Sequence, residues 1–295
     1  MKTTHRQSCL ALGLLLLGLV TCGFAAEQAG QSSAPGQQRE ERTMSQISEA
    51  VLAQDLTAAA IAKKQGAAAI PELVQLLKHE DNGVRTVAVI ALGEIDHPEA
   101  IIALMGAAEE EDGMVAGTAV AKLERHAGRI GTGRLIELLT RMKNSAAQGQ
   151  LVLVIGRLAG GVDTDQLQGF CTGRTDADTV PACLASLARL GDKQAREDFT
   201  TYLTTARDLR AFTLAEYIGQ RWLLPFLGVL LRDQSPVQSL GDPPPGFPAM
   251  LRVCDKAVVL IARISGEKMS FATDMHMNYD IDQLSEAARI AGPLP

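Results

Sequence analysis

IPELVQLLKHEDNGVRTVAVIALGEIDHPEA, residues 70 to 100, holds two apolar stripes at helical spacing with a turn between them. Ile70, Leu73, Val74 and Leu77 fall at i, i+3, i+4 and i+7, which puts them on one side of a helix. Pro71 sits early in that helix, where a missing N–H removes no intrahelical bond. Asp81-Asn82-Gly83 breaks the pattern. Asp81 is the candidate N-cap of the next helix, since its carboxylate can accept from an otherwise unbonded N–H. Val84, Val87, Ala88, Ala91, Leu92 and Ile95 form the second stripe. Asp96-His97-Pro98-Glu99 then places an Asp three residues before a Glu, the spacing of a capping box, so Asp96 is the expected cap of a third helix.

The unit recurs outward from this stretch. Leu135, Leu138, Leu139 and Met142 make one stripe, and Leu151, Val154, Ile155 and Leu158 the next. Asp163-Thr164-Asp165-Gln166 repeats the cap spacing. Leu223, Phe226, Leu227, Leu230 and Leu231 line a later helix, with Val253, Ala257, Leu260, Ile261 and Ile264 on its partner. The second helices end alike: AVIALGEI, AVAKLERH, LVIGRLAG, SLARLGDK and LIARISGE. Aligned on Leu92, Leu123, Leu158 and Leu190, the spacings are 31, 35 and 32 residues. The interval from Leu190 to Ile264 has room for two units, with Ile218 in AEYIGQ as the intermediate anchor. A period of this length means stacked helix pairs, because one pair cannot bury its apolar side alone. No strand-like alternation of useful length appears. The expectation is an all-α solenoid of about six helix pairs over residues 45–265, closed by a capping segment over 266–295. In that segment Phe271 and Tyr279 are the expected anchors, and Asp280-Ile281-Asp282-Gln283 caps a last helix to about Ile290.

Residues 70 to 100 resemble the short HEAT repeat of the phycocyanobilin-lyase type. In that pattern a Pro lies early in the first helix, a D-x-x-V-R turn leads into the second, and A-L-G-x-I closes it before the next D-P-E. Here those residues are Pro71, Asp81, Val84, Arg85, Ala91, Leu92, Gly93, Ile95, Asp96, Pro98 and Glu99. The resemblance implies a right-handed α-solenoid that binds a protein or peptide along its surface. A fold alone carries no activity. Because the resembling family includes bilin lyases, a HEAT-family enzyme or a chromophore or ligand handler is the rival reading.

The N-terminus has the order of an export signal. Lys2 and Arg6 precede the apolar run CLALGLLLLGLV, and Gly23 and Ala25 are small residues suited to cleavage after Ala25. Residues 1–25 are therefore expected to be a signal peptide and 26–44, rich in Gln, Ser, Gly and charge, a disordered linker. Leu19-Val20-Thr21-Cys22 resembles a lipobox, which would make Cys22 a lipidated N-terminus. An uncleaved anchor is the third alternative. Beyond that signal or anchor, no integral membrane domain is expected.

Hydrophobic residues make up 46% of the chain and aromatics 4%, a balance suited to stacked helices filled by Ala, Leu, Val and Ile. The 28 Lys and Arg against 34 Asp and Glu leave no basic stripe for a phosphate backbone, so nucleic acid is not the expected partner. Cys171, Cys183 and Cys254 remain in the mature part. The sparse cysteines favour three small buried hydrophobes, with Cys171 and Cys183 pairing across a helical hairpin as the alternative. His79, His97 and His126 fall at helix ends or turns, and Met275-His276-Met277 with Met269 nearby is a soft-ligand cluster too small for a copper site. Gly128 to Arg134, GRIGTGR, lacks the strand and the Lys-Ser/Thr of a phosphate loop and reads as an inter-repeat turn. Glu109-Glu110-Glu111-Asp112 reads as a solvated charge run. No catalytic residues, cofactor or metal site are expected.

Asp233 to Pro248, DQSPVQSLGDPPPGFP, is an insertion with five of the 12 prolines. Pro243, Pro244 and Pro245 favour an extended polyproline strip, and Phe247 offers an apolar anchor beside it. These four are the candidate partner-binding residues. The sequence thus points to a non-catalytic interaction or scaffold protein of the bacterial cell envelope, periplasmic or otherwise exported.

Overall fold

A computed structural model describes residues 45–158, 163–242, 245, 248–274 and 276–294. The helices are α1 (Gln46–Leu52), α2 (Thr57–Gln65), α3 (Ile70–Leu76), α4 (Asn82–Leu92), α5 (Pro98–Ala108), α6 (Gly113–Leu123), α7 (Ala127–Ile130) and α8 (Thr132–Arg141). They continue as α9 (Ser145–Arg157), α10 (Thr164–Cys171), α11 (Thr179–Leu190), α12 (Lys193–Ala206), α13 (Leu209–Ile218), α14 (Leu224–Leu230), α15 (Val253–Ser265) and α16 (Ile281–Ala291). Two short strands, β1 (Pro236–Ser239) and β2 (Met250–Arg252), lie between α14 and α15.

The fold is the expected all-α solenoid. Successive helices pair as α1 with α2, α3 with α4, α5 with α6, α8 with α9, α10 with α11, α12 with α13 and α14 with α15. That is seven pairs among the described residues, where the periodicity gives about six. The added pair is the first. Its second helix, TAAAIAKKQ, buries Ala58 and Ala62 in place of a Leu/Val stripe and so leaves a faint pattern. The second members, α2, α4, α6, α9, α11, α13 and α15, pack one on the next without a break, while the first members touch more loosely. A stack that is tighter along one row curves toward it, which places this second row on the inner side. The sequence anchors fall where expected. Leu92, Leu123, Leu190 and Ile218 end α4, α6, α11 and α13, and Leu158 caps α9.

Asp and Asn caps start the helices and also bond between repeats. Asp81, Asp112, Asn144, Asp192, Asp208 and Asp280 each accept from a first-turn N–H. Asp81 also accepts from Gln54 at 3.1 Å, Asp112 from Asn82 at 2.9 Å, and Asn144 donates to the Glu111 carbonyl at 3.2 Å. Arg85 donates to the His79 and Glu80 carbonyls and to Glu110, closing the turn between α3 and α4. One expected cap is corrected. His97, not Asp96, caps α5, its Nδ1 accepting from the Glu99 N–H at 3.3 Å. Asp96 instead turns to the next repeat and pairs with Arg129. The acidic run is also corrected as a merely solvated face. Glu109 binds Arg141, Glu110 binds Arg85, Glu111 binds Lys143, and Asp112 caps α6.

The insertion carries a β-hairpin on either side of the expected polyproline strip, of which Pro243 and Pro244 lie outside the described residues. β1 and β2 are antiparallel with Gln238 opposite Leu251 and Ser239 opposite Met250, and an irregularity separates Pro236 from Gln238. Leu251 is 1% exposed and Val237 packs on the core, so one side of the hairpin is pinned to the stack. The hairpin runs to Arg252, past the expected boundary at Pro248. Arg252 binds Asp255, and Asp255 also accepts from the Tyr279 N–H at 3.0 Å, which ties hairpin, α15 and tail together. Tyr279 is buried against Phe271 with ring centroids 5.4 Å apart, as expected. α16 packs on α14 and α15 and closes the end of the stack.

Cys171 and Cys183 form a disulfide with Cα atoms 5.8 Å apart, so the favoured reading of three free cysteines is corrected. Cys254 is free and buried, and burial pushes its thiol up to about 11, where it is inert. Among the described residues no helix is long and apolar enough to cross a membrane. The expected signal peptide, the linker and Cys22 lie outside the described residues.

Candidate binding strip on the second helix row

Small residues hollow the inner row. Gly113, Gly117 and Ala121 on α6 face Gln150, Leu153 and Arg157 on α9 across an opening of about 470 Å³. A second opening of about 260 Å³ lies over the start of α11, with Gly149, Gln150 and Leu153 on one side and Arg210 and Thr213 on the other. A third, about 130 Å³, lies between α13 and α15 and is lined by Phe212, Thr213, Glu216, Lys256, Leu260 and Arg263. Gln150 and Leu153 belong to the first two and Thr213 to the last two. The three openings are therefore one strip that crosses α6, α9, α11, α13 and α15.

The strip is held open by close packing beneath it. Gly149 and Gly156, seven residues apart on α9, face α11. A Cβ on Gly149 would stand 2.9 Å from the Asp178 carbonyl oxygen, and one on Gly156 would meet the Tyr217 hydroxyl and the Ser186 side chain. α11 thus sinks below its neighbours, with Pro181, Ala182, Ala185, Ser186 and Ala188 buried. Tyr217 of α13 spans above it. Its hydroxyl donates to the Leu153 carbonyl of α9 at 2.9 Å and lies 3.2 Å from Ser186 Oγ. Burial raises the phenol pKa, so the hydroxyl keeps its proton and remains a donor. The Arg157 and Arg189 guanidinium groups each lie 5.3 Å from the centre of its ring.

Charge is distributed in step with the repeats. Arg157 pairs with Glu124 in the first opening, Arg210 with Asp178 in the second, and Arg263 with Glu216 in the third. Lys256 also lines the third opening and makes no ion pair among the described residues. Burial lowers its pKa, the Arg263 charge lowers it further, and Glu216 opposes them. An apolar floor with one guanidinium–carboxylate pair per repeat offers contacts to side chains and polar anchors to a backbone, the chemistry of a polypeptide groove.

The residues expected from sequence to bind a partner are elsewhere. Pro243, Pro244 and Phe247 lie outside the described residues, and Pro245 is exposed at the hairpin tip. No described hairpin residue lines the strip. Met275 is outside the described residues, and His276 is exposed beside Asp274 at 3.3 Å. No group of three or more His, Cys, Asp or Glu among the described residues is placed to hold a metal. The expected inter-repeat turn over Gly128 to Arg134 is corrected to a single residue: Gly128 to Ile130 lie in α7 and Thr132 to Arg134 in α8, and Gly131 at φ 83° makes the turn between them. Binding along the solenoid surface is expected from the sequence, but the residues of the strip are not among its candidates. The available signal is glycine at a seven-residue interval in SAAQGQLVLVIGR, a helix that would otherwise exclude it.

Residues 48–124 match the family model for HEAT repeats, which covers the first three helix pairs. No curated protein matches the sequence.

Proposed function

Taking the chain as a HEAT-repeat protein, we propose that it is a non-catalytic binding scaffold that holds a polypeptide partner in the strip along its inner helix row. The observation that carries this reading is the continuity of the three openings through Gln150, Leu153 and Thr213. HEAT repeats suggest a protein-interaction role in general, and the strip supplies a place for it. The hairpin tip around Pro245 enters as a flanking contact. The proposed location is the bacterial envelope or exterior. The charged, apolar and small-residue order of the first 26 residues supports it, as does the Cys171–Cys183 disulfide, since such bonds persist in oxidising compartments.

Site-specific photo-crosslinking in the native host tests the binding reading. A photoreactive residue at Thr118 or Thr213 on the strip should yield a discrete protein adduct, and one at exposed Ile102 on α5 should not. Adducts confined to Ile102 would overturn it. Intact-mass analysis of the host protein tests export, which requires loss of about 22 to 26 residues or acylation at Cys22. A full-length cytoplasmic product would sink that part.

A further inference from the structure

Lys256 stands apart from the other cations of the strip. Arg157, Arg210 and Arg263 each make an ion pair in their own opening, while Lys256 makes none among the described residues: Glu216, the carboxylate of its opening, pairs with Arg263 and acts on Lys256 only from beyond ion-pair distance. Lys256 lines an opening of about 130 Å³ with Phe212, Val259 and Leu260 in the wall. Desolvation and the Arg263 charge disfavour the protonated form more than Glu216 favours it, and an incoming anion would relieve that cost. Of the three openings it is one end of the strip. It adjoins the second opening through Thr213, which leads back over α11 and α9, so a chain laid in the strip arrives here last or first.

We propose that the opening between α13 and α15 receives the carboxy-terminal residue of the partner polypeptide, its apolar side chain between Phe212 and Leu260 and its free carboxylate on Lys256. The inference rests on the strip being a polypeptide groove and names how that groove ends. A C-terminal residue carries a carboxylate and a side chain on one Cα, so it satisfies the ammonium and fills the apolar space together. An internal Asp or Glu spends its side chain on the charge and leaves the apolar space empty. An amine terminus would meet Lys256 and Arg263 with like charge, and the one carboxylate of the opening, Glu216, is already paired with Arg263. The upstream residues of the partner then run over Thr213 toward Gln150 and Leu153.

Fluorescence anisotropy with labelled peptide pools tests this on the purified mature protein. The pools share randomised upstream positions and differ at the end: Leu with a free carboxylate, Leu amide, and Gly with a free carboxylate. The Leu carboxylate pool should bind about tenfold more tightly than either other pool, as expected for one charge-assisted bond or one buried apolar side chain. Lys256→Met should abolish the preference over the amide while leaving the melting curve unchanged, and Lys256→Arg should retain it. Lys193→Met, an exposed lysine outside the strip, should change nothing. Should the Met variant fail to fold, Lys256→Gln takes its place. Equal binding of acid and amide pools would overturn the carboxylate site and leave the groove standing. Failure of every pool to bind would overturn the groove and the site together.

Discussion

Gly149 shows how one missing side chain sets the depth of the strip. The Asp178 carbonyl oxygen, 2.9 Å from where a Cβ on Gly149 would stand, belongs to the backbone, so it cannot swing aside as a long side chain would. Gly149→Ala should therefore force α9 from α11 and lower stability by about 1–3 kcal/mol, read from chemical denaturation. An alanine variant as stable as the parent would show that the two helices are not in this contact. At His126 the control is ionisation. The ring is 3% exposed and its Nε2 has no hydrogen-bond partner among the described residues. Burial lowers its pKa, the Arg125 and Arg129 charges add to this, and Asp96 opposes. A base whose folded pKa lies below its unfolded value binds its proton more readily when unfolded. Stability is then complete above about pH 6.5 and falls as pH drops below it. The low-lying carboxylates Glu94, Asp112 and Asp233, held down by bonds from Lys122, Asn82 and Ser235, lose their share at still lower pH. Melting temperature measured from pH 7.5 to about pH 5 should therefore decline, and His126→Gln should decline less. Parallel curves would remove His126 as the cause.

At the scale of elements, the second-row helices were legible because each must bury a whole side, and burial writes a stripe at i, i+3, i+4 and i+7. The hairpin was not legible. Pro236–Ser239 and Met250–Arg252 are four and three residues long, too short to show alternation, and Leu251 alone carries the buried contact of β2. α2 was faint because alanine buries little area and leaves no contrast. The strip depends on which neighbours sink and which stand proud, a relation between helices that no single helix records. A consequence for the hairpin follows from its one buried side. Replacing residues 241–248 by a two-residue Asn-Gly turn preserves the bond from the Leu240 N–H to the Ala249 carbonyl, 2.9 Å, and the strand pairs behind it. Thermal melting should be unchanged by that exchange. Leu251→Ala should cost about 2–5 kcal/mol, since it empties a fully enclosed site. The reverse order of effects would mean that the tip, not Leu251, anchors the hairpin.

The described helices form a one-dimensional stack, so its stability is set link by link between neighbours. Most links are apolar interfaces. The α10 link is different. Leu167 is the one buried side chain of α10, while Phe170 and Cys171 are half-buried. What ties α10 to α11 besides Leu167 is the Cys171–Cys183 bond, closed over a sequence separation of 12 residues. By chain entropy a loop of that size restrains the unfolded state by about 3 kcal/mol. Reduction should thus weaken the stack at its middle, and in a stack the damage should be local. Hydrogen exchange of the oxidised and reduced protein should show α10 losing protection first, with α3 and α4 unaffected. The Cys171→Ala/Cys183→Ala variant should match the reduced protein and should not respond to reductant. Since α11 floors the second opening through Ala182, binding in the strip should weaken along with α10 protection. A uniform rise in exchange over every pair would mean that the solenoid unfolds as a single unit. Unchanged protection of α10 would mean that Leu167 suffices to dock it. The expected result would link the oxidising surroundings proposed for this protein to the shape of its binding surface.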